Sequence, residues 1–155
     1  GEMSELLATQ LTGVIDEQEL GRVLRRFRQQ QQVRIIWRDL TRQSSTMGTT
    51  RELSDMADAC IEQAYRWLYD KLCESTGVPT GESGQVQHMV ILGMGKLGAQ
   101  ELNLSSDIDL IFGYAEAGET RGGRRSISNQ EFFIRLGQRL IKPWMPLPWK
   151  VSCSA

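Results

Sequence analysis

The sequence predicts an α+β fold in which a helical N-terminal part packs on a small sheet. Three observations predict it. Apolar residues recur at helical spacing from residue 16 to residue 75. Near Met89 the pattern switches to short apolar runs of strand length, and a helical stripe returns after Ser128. The 155 residues suit one domain or one and a half small ones, and a hydrophobic content of 40% is enough for a real core.

Residues 16–40 read as a helix. Leu20, Val23, Leu24 and Phe27 mark its apolar stripe, and Val33, Ile36, Trp37 and Leu40 repeat it beyond the polar tract 29–32. Arg22, Arg25, Arg26, Arg28, Arg34 and Arg38 crowd the same helix. They read as a solvated face or, more sharply, as a surface for an acidic partner. Residues 41–50 are rich in Ser, Thr and Gly and read as a loop. Thr49 and Glu52 form a capping box for a second helix over 51–75, with Leu53, Met56, Cys60, Ile61, Ala64, Leu68 and Leu72 on one face. Gly77 and Pro79 stop it, and 77–87 reads as an exposed linker. The chain thus divides into a helical region, 1–80, and a second part, 85–142.

In the second part, Met89-Val90-Ile91-Leu92 reads as a buried strand ending at Gly93. Residues 97–102 make a short helix, 107–114 a second strand and 118–125 a loop. Ser128 and Glu131 cap a last helix that runs to Lys142 and is striped by Phe132, Phe133, Leu136 and Leu140.

The bulk numbers exclude several function classes. A net charge of −1 with 24% charged residues gives no global case for nucleic acid or for an anionic membrane. No apolar run approaches the roughly 20 residues of a membrane-spanning helix. Cys60, Cys73 and Cys153 form neither a zinc pattern nor a disulfide framework, so a reducing cytoplasm is the simplest setting. The single histidine, His88, has no companion ligand nearby.

The chemistry lies in Gly93-Met94-Gly95-Lys96-Leu97-Gly98 followed by Ser105-Ser106-Asp107-Ile108-Asp109-Leu110. Asp107 and Asp109 stand two apart on a strand, so their carboxylates share a face. Side by side they call for a cation, and hard ions such as magnesium take carboxylate oxygens while leaving positions for phosphate. A glycine-rich turn lets backbone amides approach phosphate oxygens, and Lys96 adds a point charge. Eleven residues separate Gly95 from Asp107, enough to bring the turn back over the carboxylates. The same glycines also match a dinucleotide-binding fingerprint, with Glu116 near the place of a ribose-binding acid. Against that alternative, the helix after the glycines is too short for a parallel crossover, and two charges open the next strand.

These motifs, with Glu101-Leu102-Asn103, resemble the signature of the glutamine synthetase adenylyltransferase family. The similarity extends back through Leu24-Arg25-Arg26-Phe27-Arg28 and Trp37-Arg38-Asp39-Leu40. It runs forward through Gly122-Gly123-Arg124-Arg125 and Gln138-Arg139-Leu140-Ile141-Lys142, covering residues 10–142. The Trp37–Leu40 stretch and the form of the glycine motif resemble the family's N-terminal, adenylyl-removing half. The resemblance implies that 85–142 is a partial nucleotidyltransferase core. It implies that Asp107 and Asp109 hold Mg2+, that Ser105 and Ser106 support the turn, and that Gly95, Lys96 and Gly98 border the phosphates. It further implies phosphorolysis of adenylylated glutamine synthetase to give ADP, with phosphate and adenine nucleotide as small ligands and PII signal protein as a regulatory partner. Ala99 stands where many relatives carry glycine, a change that a helix tolerates.

Relatives also need a third carboxylate on a later strand, and the sequence offers no such strand after Lys142. Instead, three of the four prolines and two of the four tryptophans fall within 143–155. Back-translated and read one base out of frame, this tail resembles the family's continuation. It is therefore expected to be a frameshifted, irregular segment, with Trp144 and Trp149 partly exposed and with the chain inactive by itself.

Overall fold

A computed structural model describes residues 1–142 and the backbone of residues 151–154. It is α+β. Among the described residues, five helices, α1 (Glu2–Gln10), α2 (Glu17–Leu40), α3 (Thr46–Thr76), α4 (Gly95–Gly98) and α5 (Asn129–Ile141), accompany five strands. These are β1 (Gly77–Gly81), β2 (Val90–Met94), β3 (Ile108–Gly113), β4 (Gly118–Gly122) and β5 (Val151–Ser154).

α3 is the axis of the molecule. Its expected face, Leu53 through Leu72, is buried. Its start differs from the expected one. Ser45, not Thr49, is the cap, and its hydroxyl accepts from the Gly48 amide at 3.1 Å. The helix therefore begins a turn and a half earlier, and the loop after α2 shrinks to 41–45. This start turns Glu52 toward α2, where it accepts from Arg38 at 2.6 Å and Arg34 at 3.3 Å. Thr49 instead donates to Asp39 at 2.8 Å.

α2 spans the expected residues, with the Asp16 side chain capping it through the Glu19 amide. Its second apolar repeat is corrected. Leu20, Leu24, Phe27 and Ile35 are buried, whereas Val33, Trp37 and Leu40 are exposed. The core face advances along 20, 24, 27, 31 and 35 and takes in Gln31 rather than Val33. Arg28 is also buried, so not every arginine of the helix is solvated. α1 was unforeseen. Only Leu7 of its residues is buried, and Ser4 ties it to α3 by donating to Glu62 at 2.7 Å.

The expected linker is partly structure. Residues 77–81 form β1, which pairs antiparallel with β4, itself expected to be a loop. The helical region thus ends at Thr76 rather than at residue 80. Asn129, at the start of α5, locks this ribbon by donating to the carbonyls of Thr80 at 3.0 Å and Glu116 at 3.2 Å. The predicted Ser128 cap is present, with the Glu131 amide donating at 3.1 Å.

The second sheet has the order β2-β3-β5. β2 and β3 run antiparallel, with Val90 opposite Gly113 and Met94 opposite Asp109. This overturns the dinucleotide-binding alternative, which needs parallel strands joined by a helical crossover. β2 is not the fully buried strand expected. Val90, Leu92 and Met94 face outward, and Ile91 is packed against the core. The tail departs from expectation as well. Residues 151–154 pair parallel with β3, Ser152 standing in register with Asp109. The expectations for 143–150, including both tryptophans, lie outside the described residues.

Candidate functional site

β2 runs directly into the glycine turn. Gly95 has φ +57°, a left-handed value costly for any residue with a Cβ. A Cβ built on Gly95 would stand 3.7 Å from Asp109 Oδ2, so the turn lies beside that carboxylate. Gly98 folds the turn back onto β2, since a Cβ there would come within 2.5 Å of the Gly93 carbonyl oxygen. Three backbone bonds close it, one of them from the Gln100 amide to the Leu97 carbonyl at 3.0 Å. The Ala99 amide donates to Gly95 at 3.0 Å, and the Glu101 amide donates to Lys96 at 2.8 Å. Leu97 is buried beneath, while Lys96 and Gly98 are exposed.

Exposure alternates through the start of β3. Asp107 and Asp109 are exposed, Ile108 and Leu110 buried. Asp109 thus alternates with buried Ile108 and Leu110 on β3, while Asp107 is exposed just before the strand begins. The structure brings Asp109 and Gly95 together.

The loop between turn and strand is built by its own side chains. Asn103 Oδ1 accepts from the Ser105 amide and hydroxyl, both at 3.0 Å, in an Asx-type turn. Ser106 is buried, and its hydroxyl accepts from the Asn103 amide at 3.0 Å. Ser105 is exposed. Sequence reasoning missed the residues that anchor this loop to α3. Buried Ser54 accepts from the Leu102 amide at 3.2 Å and donates to Thr50 at 2.9 Å. Asp58 accepts from the Gln100 side chain at 3.1 Å. Burial raises the Asp58 carboxyl above the ordinary aspartate range, and the Gln100 bond opposes the shift. A serine inside the apolar stripe of a helix was the available signal for Ser54.

Glu116 has a different task from the ribose contact considered above. It accepts from the Ser83 hydroxyl and, at 3.1 Å, from the Ser83 amide. These bonds hold its carboxyl below the usual glutamate range. It fastens the 81–84 turn. His88 lies tilted against Tyr69, with ring centroids 5.1 Å apart.

Two exposed carboxylates beside an open turn offer hard oxygen donors and leave most of an octahedral shell to water and phosphate. This is how magnesium is commonly held, and the residues fit that ion. Among the described residues no group of three or more Asp, Glu, His or Cys could hold a metal ion. Also among the described residues, no helix is long and apolar enough to cross a membrane.

Residues 2–145 match the family model described as glutamate-ammonia ligase adenylyltransferase. A bifunctional glutamine synthetase adenylyltransferase/adenylyl-removing enzyme of Pseudomonas syringae pv. tomato is 62% identical over 148 residues, 95% of this chain. The protein of that description from Pseudomonas aeruginosa is 62% identical over 143 residues, 92% of the chain. One from Nitrosococcus oceani is 56% identical over 137 residues, 88% of the chain. The chain spans 15%, 15% and 14% of these relatives' lengths.

Proposed function

The chain belongs to the glutamate-ammonia ligase adenylyltransferase family, and on that premise we propose that it carries the two-carboxylate part of an adenylyl-removing site. In this reading a phosphate oxygen attacks the phosphorus of AMP esterified to a tyrosine of glutamine synthetase. The bond from phosphorus to the tyrosine oxygen breaks, the phenolate takes up a proton, and ADP leaves. Asp107 and Asp109 would hold magnesium, which when bound offsets negative charge on the reacting phosphate oxygens. The Gly95 turn gives phosphate an approach free of side chains, Lys96 contributes a positive charge, and Gly98 keeps the turn tight on β2. Asn103, Ser105 and Ser106 fix the loop that delivers the carboxylates. Glutamine synthetase as protein substrate and PII signal protein as regulator belong to this proposal, as does a cytoplasmic setting.

The observation that supports it is the Gly95 turn lying beside the exposed Asp109 carboxylate, with exposed Asp107 two residues before it. The residues of β5, which run beside β3, are Val151, Ser152, Cys153 and Ser154, with no carboxylate among them. The chain should therefore bind magnesium weakly, need nucleotide to hold it, and release no ADP from adenylylated glutamine synthetase. Calorimetry with magnesium and ADP together should show a metal-dependent heat that Asp107→Asn and Asp109→Asn each remove. Tight magnesium binding without nucleotide, or ADP binding indifferent to both substitutions, would contradict the reading.

A further inference from the structure

α2, α3 and α5 border a cavity of about 420 Å³ that the Gly95 turn and the carboxylates of β3 do not line. Buried Leu20 and Leu68, with the bare backbone of Gly21, form its floor. Its walls are cationic. Arg25 stands one turn beyond Gly21 on α2, and Arg139 and Lys142 stand at the end of α5. Among the described residues Glu17 is the one carboxylate of the lining, and it meets Arg139 at 3.4 Å. Three cations against one carboxylate leave an excess of two positive charges. Arg25 is half-buried, and its guanidinium lies across Gly21, where a Cβ would stand 3.1 Å from Nη1. Among the described residues neither Arg25 nor Lys142 has an ion-pair partner. An arginine on an open helix face carries its head out into water. This one is laid over the cavity floor, with five N–H donors to offer.

We propose that the cavity binds a small phosphate monoester, its phosphate held by Arg25, Arg139 and Lys142 and its organic group resting on Leu20 and Leu68. A phosphate monoester carries nearly two negative charges at neutral pH, which match the excess on the walls. Guanidinium forks pair with phosphate oxygens two at a time, and lysine adds a point charge. A lone carboxylate would leave one cation uncompensated. The volume falls in the range of small-molecule pockets and excludes a helix or a nucleic-acid backbone. The bound ester replaces Glu17 as the partner of Arg139 and ties α2 to α5.

The test titrates phenyl phosphate, and separately inorganic phosphate, into the 155-residue protein. EDTA is present, and sodium chloride holds the ionic strength constant. Binding is read from the arginine Nε–Hε resonances and from the melting temperature. Phenyl phosphate should saturate, bind more tightly than inorganic phosphate and raise the melting temperature. Arg25→Gln should weaken it about tenfold and Lys142→Gln about threefold. Glu17→Gln should tighten it about threefold, because a competing carboxylate is gone from Arg139. Lys96→Gln should leave it unchanged. Glu17 and Lys142 are surface side chains, so these two variants carry the test if Arg25→Gln fails to fold. The proposal is overturned if phenyl phosphate does not saturate below about 10 mM, or if Glu17→Gln weakens binding or leaves it unaltered. It is overturned equally if Lys96→Gln abolishes binding, which would put the anion at the glycine turn.

Discussion

Gly95 and Gly98 are glycines for different reasons, and substitution separates them. Gly98→Ala places a methyl against a backbone carbonyl that cannot swing aside. It should cost about 2 kcal/mol of stability, the usual penalty for overpacking. Gly95→Ala meets ordinary contact distances and pays only the left-handed backbone penalty, about 1 kcal/mol. Urea unfolding of both variants checks the order, and a larger loss at Gly95 would contradict the close return of the turn. Cys60 gives a pH dependence. Burial pushes its thiol from 9.0 up to about 12, against a smaller opposing effect of Arg28. Because the folded state holds this proton more firmly, the stabilisation is complete below about pH 9 and drains away as pH rises toward about 12. The urea midpoint should therefore fall more steeply above about pH 9 in the wild type than in Cys60→Ala. Cys73, raised to about 11, keeps a residual slope in the variant. At this scale the outward position of Asp109 was legible, since alternation with buried Ile108 and Leu110 fixes it. Ser54 was not, because its partner Leu102 lies 48 positions along the chain.

The start of α3 shows how a correct signal can be assigned to the wrong cap. Ser45→Ala should lower stability by about 1 kcal/mol, as loss of a helix cap does. Glu52→Ala should cost less, about 0.5 kcal/mol, because it gives up only partly exposed ion pairs with Arg34 and Arg38. Thermal unfolding of the two variants distinguishes the caps, and the reverse ranking would restore Thr49 and Glu52 as the box. Elements with a buried apolar period were readable from sequence, namely α2, α3, α5 and β3, and β2 was readable from its apolar run although its residues are not buried. The β1–β4 ribbon was not. Its strands, Gly-Val-Pro-Thr-Gly and Gly-Glu-Thr-Arg-Gly, have turn-like composition and owe their place to pairing and to the Asn129 side chain rather than to alternation. α1 escaped for a similar reason, having only one buried residue to betray its period.

Among the described residues one hydrophobic core runs from Leu7 through α3 to Leu140, so residues 1–80 and 85–142 share their interior. Tyr69 of α3 meets Phe132 of α5 edge to face, with ring centroids 5.5 Å apart. The Tyr69 hydroxyl donates to the Gln87 carbonyl at 2.9 Å. Residues 85–142 expressed alone should therefore lack a folded proton spectrum, and a dispersed one would show that the two parts are separable. The switch of period near Met89 thus located a change of architecture but not an independent unit, because periodicity is blind to which faces meet. The arrangement of the second sheet bears on how the chain behaves in a test tube. Among the described residues, β3 separates β2 from β5, and β2 pairs with β3 alone. Beside that open flank Val90, Leu92 and Met94 are 54%, 53% and 46% accessible. A sheet edge with free amides and carbonyls next to a greasy surface is a template on which another chain can add a strand. Concentrated solutions should thus cloud through growth at β2. Leu92→Lys should delay light scattering while leaving the melting temperature nearly unchanged, since a charge at a sheet edge blocks the next strand without disturbing the one already there.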